Sequence, residues 1–294
     1  MAGLLLVLLG VVIGRWTGSP RPAAPEGTAA VEASTGVGGR EVERAPAPSA
    51  APDVAPPEVR DAVPAVERGQ ALVALVIDDL GRSLETIDRL EALEVDLSYS
   101  VLPFETRTPE VVRELHERGA EILLHLPMEA DGPADPGPGS LLRAMGEEEL
   151  RRRTREALAA VPGAIGVNNH MGSALSSDSA ALEPVLAELG ARGLFFLDSR
   201  TTADSVGFRL ARELGIPAAE RRVFLDRKVD REEIRAQFRR LLEEAAERGS
   251  AIAIGHPYEE TLEVLRDEVP RAKRAGYRFV PVSYLLERTG VEAM

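Results

Sequence analysis

From Ala71 onward, short apolar runs alternate with longer stretches whose apolar residues recur every three or four positions. The runs are LVALVI (72–77), VDLSYSVLP (95–103), EILLHLP (121–127), AIGVNN (164–169), GLFFLDS (193–199), ERRVFLD (220–226), AIAIGHP (251–257) and YRFVPVS (277–283). Their shortness predicts strands. Between them lie segments with helical spacing, such as TPEVVRELHERG, MGEEELRRRTREALAAV, LEPVLAELGARG, REEIRAQFRRLLEEAAERG and EETLEVLRDEVPRAKRAG. Several stop at Gly, a common helix terminator. Ser83 fits the N-cap of the helix SLETIDRLEAL. Strand–helix alternation of this length predicts an α/β domain with a mainly parallel sheet. Seven or eight such units predict a barrel that need not close fully, with a doubly wound open sheet as the competing topology.

The first part of the chain follows a different pattern. Gly3–Gly14 is almost purely apolar and is followed by Arg15 and Trp16. Twelve helical residues rise only about 18 Å, against a bilayer core of roughly 30 Å. The expectation for residues 1–16 is therefore an export signal peptide or a short membrane anchor. Residues 17–70 are rich in Pro, Ala, Gly and Glu and poor in large apolar side chains. Such a segment cannot offset its ordering entropy, so a disordered linker is expected. The folded domain then occupies 71–294. An exported protein would sit in the periplasm or cell envelope, held at the inner membrane if the apolar segment stays attached.

Composition removes several classes of function. The formal net charge of −13 argues against a nucleic-acid surface, which needs a basic stripe. With no cysteine in the chain, disulfides and thiol catalysis are excluded, and metal ligation falls to His, Asp and Glu.

Chemistry-bearing residues cluster in the pattern. Asp78, Asp79, His125, His170, Asp198, Asp226 and His256 each fall at or just past the end of an apolar run. In a parallel barrel those strand ends converge on one face, where active sites sit. His116 lies instead within a charged helical stretch and reads as solvated surface. Two adjacent carboxylates at a core edge are costly unless a cation neutralises one of them. A regular strand sends Asp78 and Asp79 to opposite sides; a turn at Gly81 would bring both to the rim.

Five segments, VIDDLG (76–81), LHLPME (124–129), NNHMGS (168–173), FLDSRT (196–201) and AIAIGHP (251–257), follow one another in this order. Together they resemble the divergent polysaccharide deacetylases, a branch of the polysaccharide deacetylase and carbohydrate esterase superfamily. The likeness runs from about Ala71 to Leu286. It implies a distorted (β/α) barrel and metal-dependent removal of acetyl groups from an acetylated polysaccharide or oligosaccharide, with a divalent metal, zinc first among them.

Residue by residue, the resemblance implies Asp78 as catalytic base and Asp79 and His125 as metal ligands. It further implies His256 as the acid toward the leaving group and Asp198 as the carboxylate that tunes a catalytic partner. Two departures stand out. Ordinary members carry a second histidine four residues after the first, where this chain has Glu129, and the Arg-x-Pro-Tyr element is missing. His170 is therefore read as the third ligand, with Glu129 as the alternative. Backbone N–H groups around Met171 and Gly172 are candidates to support an oxyanion. The chain is expected to act as a monomer. Rival readings are an amidase or phosphoesterase using the same ligands, and a catalytically inactive glycan-binding or scaffold protein that keeps the barrel for its shape. For stacking against a sugar, Phe104, Phe195, Phe196 and Tyr258 are the nearest aromatic candidates.

Overall fold

A computed structural model describes residues 71–288. The expected signal or anchor at 1–16 and linker at 17–70 lie outside the described residues. Among those described, no helix is long and apolar enough to cross a membrane.

Strands and helices alternate along the chain. The first half contains β1 (Leu72–Leu80), α1 (Leu84–Glu91), β2 (Ser98–Val101), α2 (Thr108–Glu117), β3 (Glu121–Met128), α3 (Glu147–Ala160) and β4 (Gly166–Met171). It continues with α4 (Ser179–Gly190), β5 (Phe195–Asp198), α5 (Gly207–Glu213), β6 (Ala218–Glu220) and β7 (Val223–Phe224). The last elements are α6 (Arg231–Arg248), β8 (Ser250–Gly255), α7 (Glu259–Arg274), β9 (Arg278–Phe279) and α8 (Val282–Arg288). The local signals hold where they were clearest. Ser83 caps α1 by accepting from Thr86 N, and Gly249 ends α6 at φ 81°.

All the strand pairs are parallel, in the order β6-β5-β4-β3-β2-β1-β8-β7, with β9 added beside the start of β1. The two outer strands of this order are consecutive in the chain. Arg221 N donates to Asp198 O of β5, and Arg222 N donates to Ile252 O of β8. Within two residues the backbone changes partner, so β6 and β7 act as one split stave. The sheet's two ends are joined by the chain itself rather than by a ladder. This is the distorted (β/α) barrel that the sequence predicts, not the open doubly wound sheet.

Alternation along each strand sorts the side chains between two layers. Val73, Leu75 and Ile77 of β1 face outward into the main core beneath the helices. Leu72, Ala74 and Val76 face inward, meeting Leu123, Leu197, Ile252 and Ile254 in the barrel lumen. Fully burying such side chains contributes on the order of 1.5–3 kcal/mol each. Helix α8 plugs the lumen at the N-terminal ends of the strands with Val282, Leu285 and Leu286. Its first N–H groups are held by Glu121, which accepts from Val282 N at 2.9 Å and from Ser283 N at 3.2 Å. The run at 277–283, expected as one strand, therefore divides: Arg278 and Phe279 pair with β1, and Val282 begins a helix. With one end of the lumen filled, only the C-terminal end offers an opening.

Candidate metal centre

The inward parity that puts Leu72, Ala74 and Val76 in the lumen continues to Asp78. It likewise places Ser100 of β2, His125 of β3 and Asn168 of β4 inward, and all four are buried. Asp79 breaks the alternation. Its φ is 59°, and the β1–β2 register shifts between Ile77 and Leu80. This local break brings both carboxylates to the same rim. It begins at Asp79 itself, ahead of the Gly81 turn expected from sequence. Gly81 is nonetheless required, with φ 125° and an added Cβ only 2.9 Å from Thr108 Oγ1.

Three donor atoms converge at that rim. Asp79 Oδ1 lies 2.9 Å from His170 Nδ1 and 3.3 Å from His125 Nε2, and the two ring nitrogens are 3.1 Å apart. Asp79 Oδ1 is buried and has no well-aligned hydrogen-bond donor. Asp78 Oδ2 stands 3.4 Å from His125 Nε2. Among the described residues, Asp79, His125 and His170 are the acidic and imidazole group able to hold a metal ion.

Electrostatics match the geometry. Burial alone would raise the Asp79 carboxyl, but His125 and His170 outweigh it and hold the group well below the usual carboxylate range. Burial works against a charged His125, yet Asp78 and Asp79 overcome it and lift this imidazole above its ordinary value. Two carboxylates that draw a proton onto a buried ring will also draw a cation into its place.

A second layer of contacts fixes these groups. Asn168 Oδ1 accepts from His125 Nδ1 at 3.1 Å and from Ser100 Oγ at 2.5 Å. Its Nδ2 donates to Asp78 Oδ1 at 2.9 Å and to Ser199 Oγ at 3.2 Å. With Nδ1–H engaged, the lone pair of neutral His125 lies on Nε2, toward Asp79. His256 follows a similar logic. Asp226 Oδ1 lies 2.8 Å from His256 Nδ1, and Asp226 Oδ2 accepts from His256 N and Thr261 Oγ1. His256 Nε2 is left facing the cluster, 3.9 Å from Asp79 Oδ2. Burial would lower this imidazole, but Asp226, with Asp78 and Asp79 behind it, pushes it up to about 9.

Two expected residues stand elsewhere. Asp198 is not the carboxylate beside a catalytic partner. Strand parity turns it to the outer face of β5, where it accepts from Arg200 N, Ser205 Oγ and Phe208 N and so holds its own loop. The carboxylate that grips the histidine is Asp226. Glu129 does not join the ligand group either, since it accepts from Arg143 N at 2.6 Å. His116 is exposed and contacts Pro162 O. Of the aromatic candidates, Phe195 and Phe196 are core, whereas Phe104 and Tyr258 are exposed. Asn168, Ser100 and Ser199 were not singled out from sequence; the signal that finds them is inward parity at the ends of β2, β4 and β5.

Backbone strain collects at the same rim. Apart from Glu94, the non-glycine residues with positive φ among those described are Asp79, Met171 and Arg200, which lie within two residues of the C-terminal ends of β1, β4 and β5. Two cavities flank the cluster. One, of about 260 Å³, is lined by Asp79, Ser83, Thr86, His256 and Tyr258. The other, of about 270 Å³, is lined by His170, Met171, Leu102, Phe104, Pro127 and Pro138, among others. Arg82 borders both. Larger cavities of about 680 and 550 Å³ lie around the N-terminal strand ends and contain none of the clustered groups.

A parallel barrel thus carries one carboxylate and two imidazoles at its open end, a donor set able to hold a divalent ion, backed by a buried carboxylate and a carboxylate-held histidine. Residues 75–286 match the divergent polysaccharide deacetylase family, and the chain belongs to it. It is 36% identical over 197 residues to the uncharacterised protein YibQ of Escherichia coli K12, covering 67% of this chain and 62% of that protein. The chain thus spans somewhat less than two thirds of the length of that relative. It is 34% identical to an uncharacterised Haemophilus influenzae protein, covering 67% of this chain and 70% of the relative. A crystal structure of an uncharacterised Agrobacterium tumefaciens C58 protein superposes with a TM-score of 0.70 at 28% identity, covering 74% of this chain and 89% of the other.

Proposed function

We propose that the protein is a metal-dependent hydrolase that removes acyl groups, acetyl in the family's description, from a cell-envelope carbohydrate. The observation that carries this reading is the convergence of Asp79 Oδ1, His125 Nε2 and His170 Nδ1 to within 3.3 Å of one another, with Asp79 Oδ1 buried and lacking a well-aligned donor. The donor set suits a divalent ion, and zinc is the first candidate. When bound, such an ion polarises the acyl carbonyl and lowers the pKa of its water toward neutrality.

The chain's own residues divide the remaining work. Asp78, buried and oriented by Asn168, takes the proton from the attacking water. His256, oriented by Asp226, faces the site through Nε2 and gives a proton to the departing amine or alkoxide. Water's oxygen becomes bonded to the acyl carbon as the bond to nitrogen or oxygen breaks, leaving a carboxylate and a free sugar amine or hydroxyl.

The apolar stretch Gly3–Gly14 supports export, which would place this chemistry in the periplasm or at the inner membrane. The test is elemental analysis of the purified full chain, then acetate release from acetylated envelope polysaccharides with zinc. Stoichiometric metal with release that a chelator abolishes is the expected result. Turnover unaffected by chelation, or glycan binding with no turnover under several metals, would overturn it.

A further inference from the structure

Arg221 stands at the split between β6 and β7, and no step of the reaction above uses it. Its backbone N–H donates to Asp198 O of β5, and the next residue already pairs with β8. Arg221 follows Ala219 by two positions, and Ala219 and Phe224 both pack against the lumen cluster. The break in the ladder thus admits a charged side chain near the open end.

The guanidinium is held from three sides. Nε donates to Ser199 O at 2.6 Å, Nη2 donates to Arg200 O at 2.7 Å, and Cζ lies 4.7 Å from the centre of the Phe224 ring. Among the described residues, no carboxylate lies within ion-pairing distance of it. Burial lowers its pKa, with Asp78 and Asp198 opposing from farther off. Drawing a guanidinium partly out of water to bind carbonyls adds little stability, so stability does not explain this placement.

We infer that Arg221 is a positioning residue that aligns the two proton-handling groups, Asp78 and His256, across the site. This rests on the hydrolase reading above. Toward the base, it fixes the carbonyls of Ser199 and of Arg200, the latter strained at φ 49°. Ser199 Oγ accepts from Asn168 Nδ2, and the same amide nitrogen donates to Asp78 Oδ1. Toward the acid, Phe224 packs against His256 with ring centroids 5.4 Å apart and planes at 65°. The Asp226 contact at Nδ1 fixes one atom of the imidazole. Phe224 on its flank fixes the plane, and so the direction of Nε2. One planar fork therefore ties the end of β5 to the histidine that follows β8. None of the three contacts is with Asp79, His125 or His170, so the metal cluster should form without Arg221.

A misplacement of about 1 Å at reacting groups can cost about 100-fold in rate. The test is steady-state hydrolysis of an N-acetylglucosamine oligomer by the zinc-loaded full chain and its variants. Arg221→Met should lower kcat about 100-fold, leave KM within about twofold and keep stoichiometric zinc. Guanidinium chloride at millimolar concentration should restore part of that kcat, whereas sodium chloride at the same concentration should not. Arg221→Lys keeps the charge but not the fork, and should stay within about tenfold of Arg221→Met. Phe224→Leu leaves the two hydrogen bonds to the end of β5 in place and should lower kcat about tenfold at unchanged KM. Full kcat in Arg221→Met or Phe224→Leu, full recovery in Arg221→Lys, or lost zinc with no rescue by guanidinium overturns the positioning role while the hydrolase reading stands. Failure of the unaltered, zinc-loaded protein to hydrolyse any acetyl amide or ester overturns both.

Discussion

Asn168 commits all four of its hydrogen-bonding positions inside the barrel, two accepting and two donating. Through one amide it sets the tautomer of His125 and the orientation of Asp78. Asn168→Leu keeps a similar volume but leaves His125 Nδ1–H, Ser100 and Asp78 Oδ1 unpaired in a dry site. Its expected cost is roughly 2–4 kcal/mol in denaturant unfolding, with metal affinity falling about 10–100-fold. Asp79→Ala and His170→Ala remove ligand atoms outright, and each should abolish stoichiometric metal on elemental analysis; full occupancy in both would discard the cluster as a metal site. His256 carries the pH dependence. Its folded value of about 9 lies above the unfolded 6.5, so protonation favours the native state. At about 1.4 kcal/mol per pKa unit, Asp226 together with Asp78 and Asp79 contributes on the order of 3 kcal/mol in metal-stripped protein. That contribution is fully present below pH 6.5 and is lost as pH rises through about 9. Asp226→Asn should remove most of the slope over this window in unfolding experiments on chelated protein, and a slope left at full size would assign it to another group.

At the scale of single elements, the end of β1 does the most for function, because it turns two adjacent carboxylates toward one rim. The turn depends on Asp79 at φ 59° and on Gly81, whose close contacts with Thr108 Oγ1 and Glu105 Cβ leave no room for a side chain. Gly81→Ala should cost roughly 2–4 kcal/mol through strain at positive φ and crowding. It should also weaken metal binding through displacement of Asp79, which a metal titration would detect. A variant with unchanged affinity would show that the two carboxylates are set by β1 alone. Much of this was legible in the sequence. The apolar runs mark β1 to β5 and β8, and the polar residues at their ends mark the open face. Parity was also available in principle: counting by twos from Leu72 reaches Asp78, and from Leu123 reaches His125. The same count from Phe195 reaches Leu197 and Ser199, and so puts Asp198 on the outer face. Motif resemblance alone assigned Asp198 a catalytic role that its strand position denies. The split at 221–222 was not legible, because partner exchange between β5 and β8 is a property of the closed sheet rather than of local pattern. Nor was α8, whose first residues read as the tail of an apolar run until Glu121 and Ser98 supply its N–H acceptors.

For the molecule as a whole, the barrel divides its labour between two ends. The C-terminal end gathers buried charge and positive-φ residues, features that reduce stability. The N-terminal end is plugged by the apolar face of α8, with the Glu121 carboxylate joining its first turn to Ser98 of β2 at 2.6 Å. Stability and chemistry are thus separated along the lumen, with Ala74, Val76, Leu123, Leu197 and Ile254 between them. Glu121→Ala tests this separation. Losing the carboxylate leaves the N–H groups of Val282 and Ser283 and the Ser98 hydroxyl without that partner, at a cost of about 1–2 kcal/mol. For a domain of this size that corresponds to a fall in Tm of roughly 2–8 °C. Metal affinity and turnover at 25 °C should remain those of the unaltered protein, because Asp79, His125 and His170 are anchored at the far ends of β1, β3 and β4. A loss of metal affinity in this variant, with the barrel still folded, would mean that the plug sets the spacing of those strands and that the two ends are mechanically coupled through the lumen.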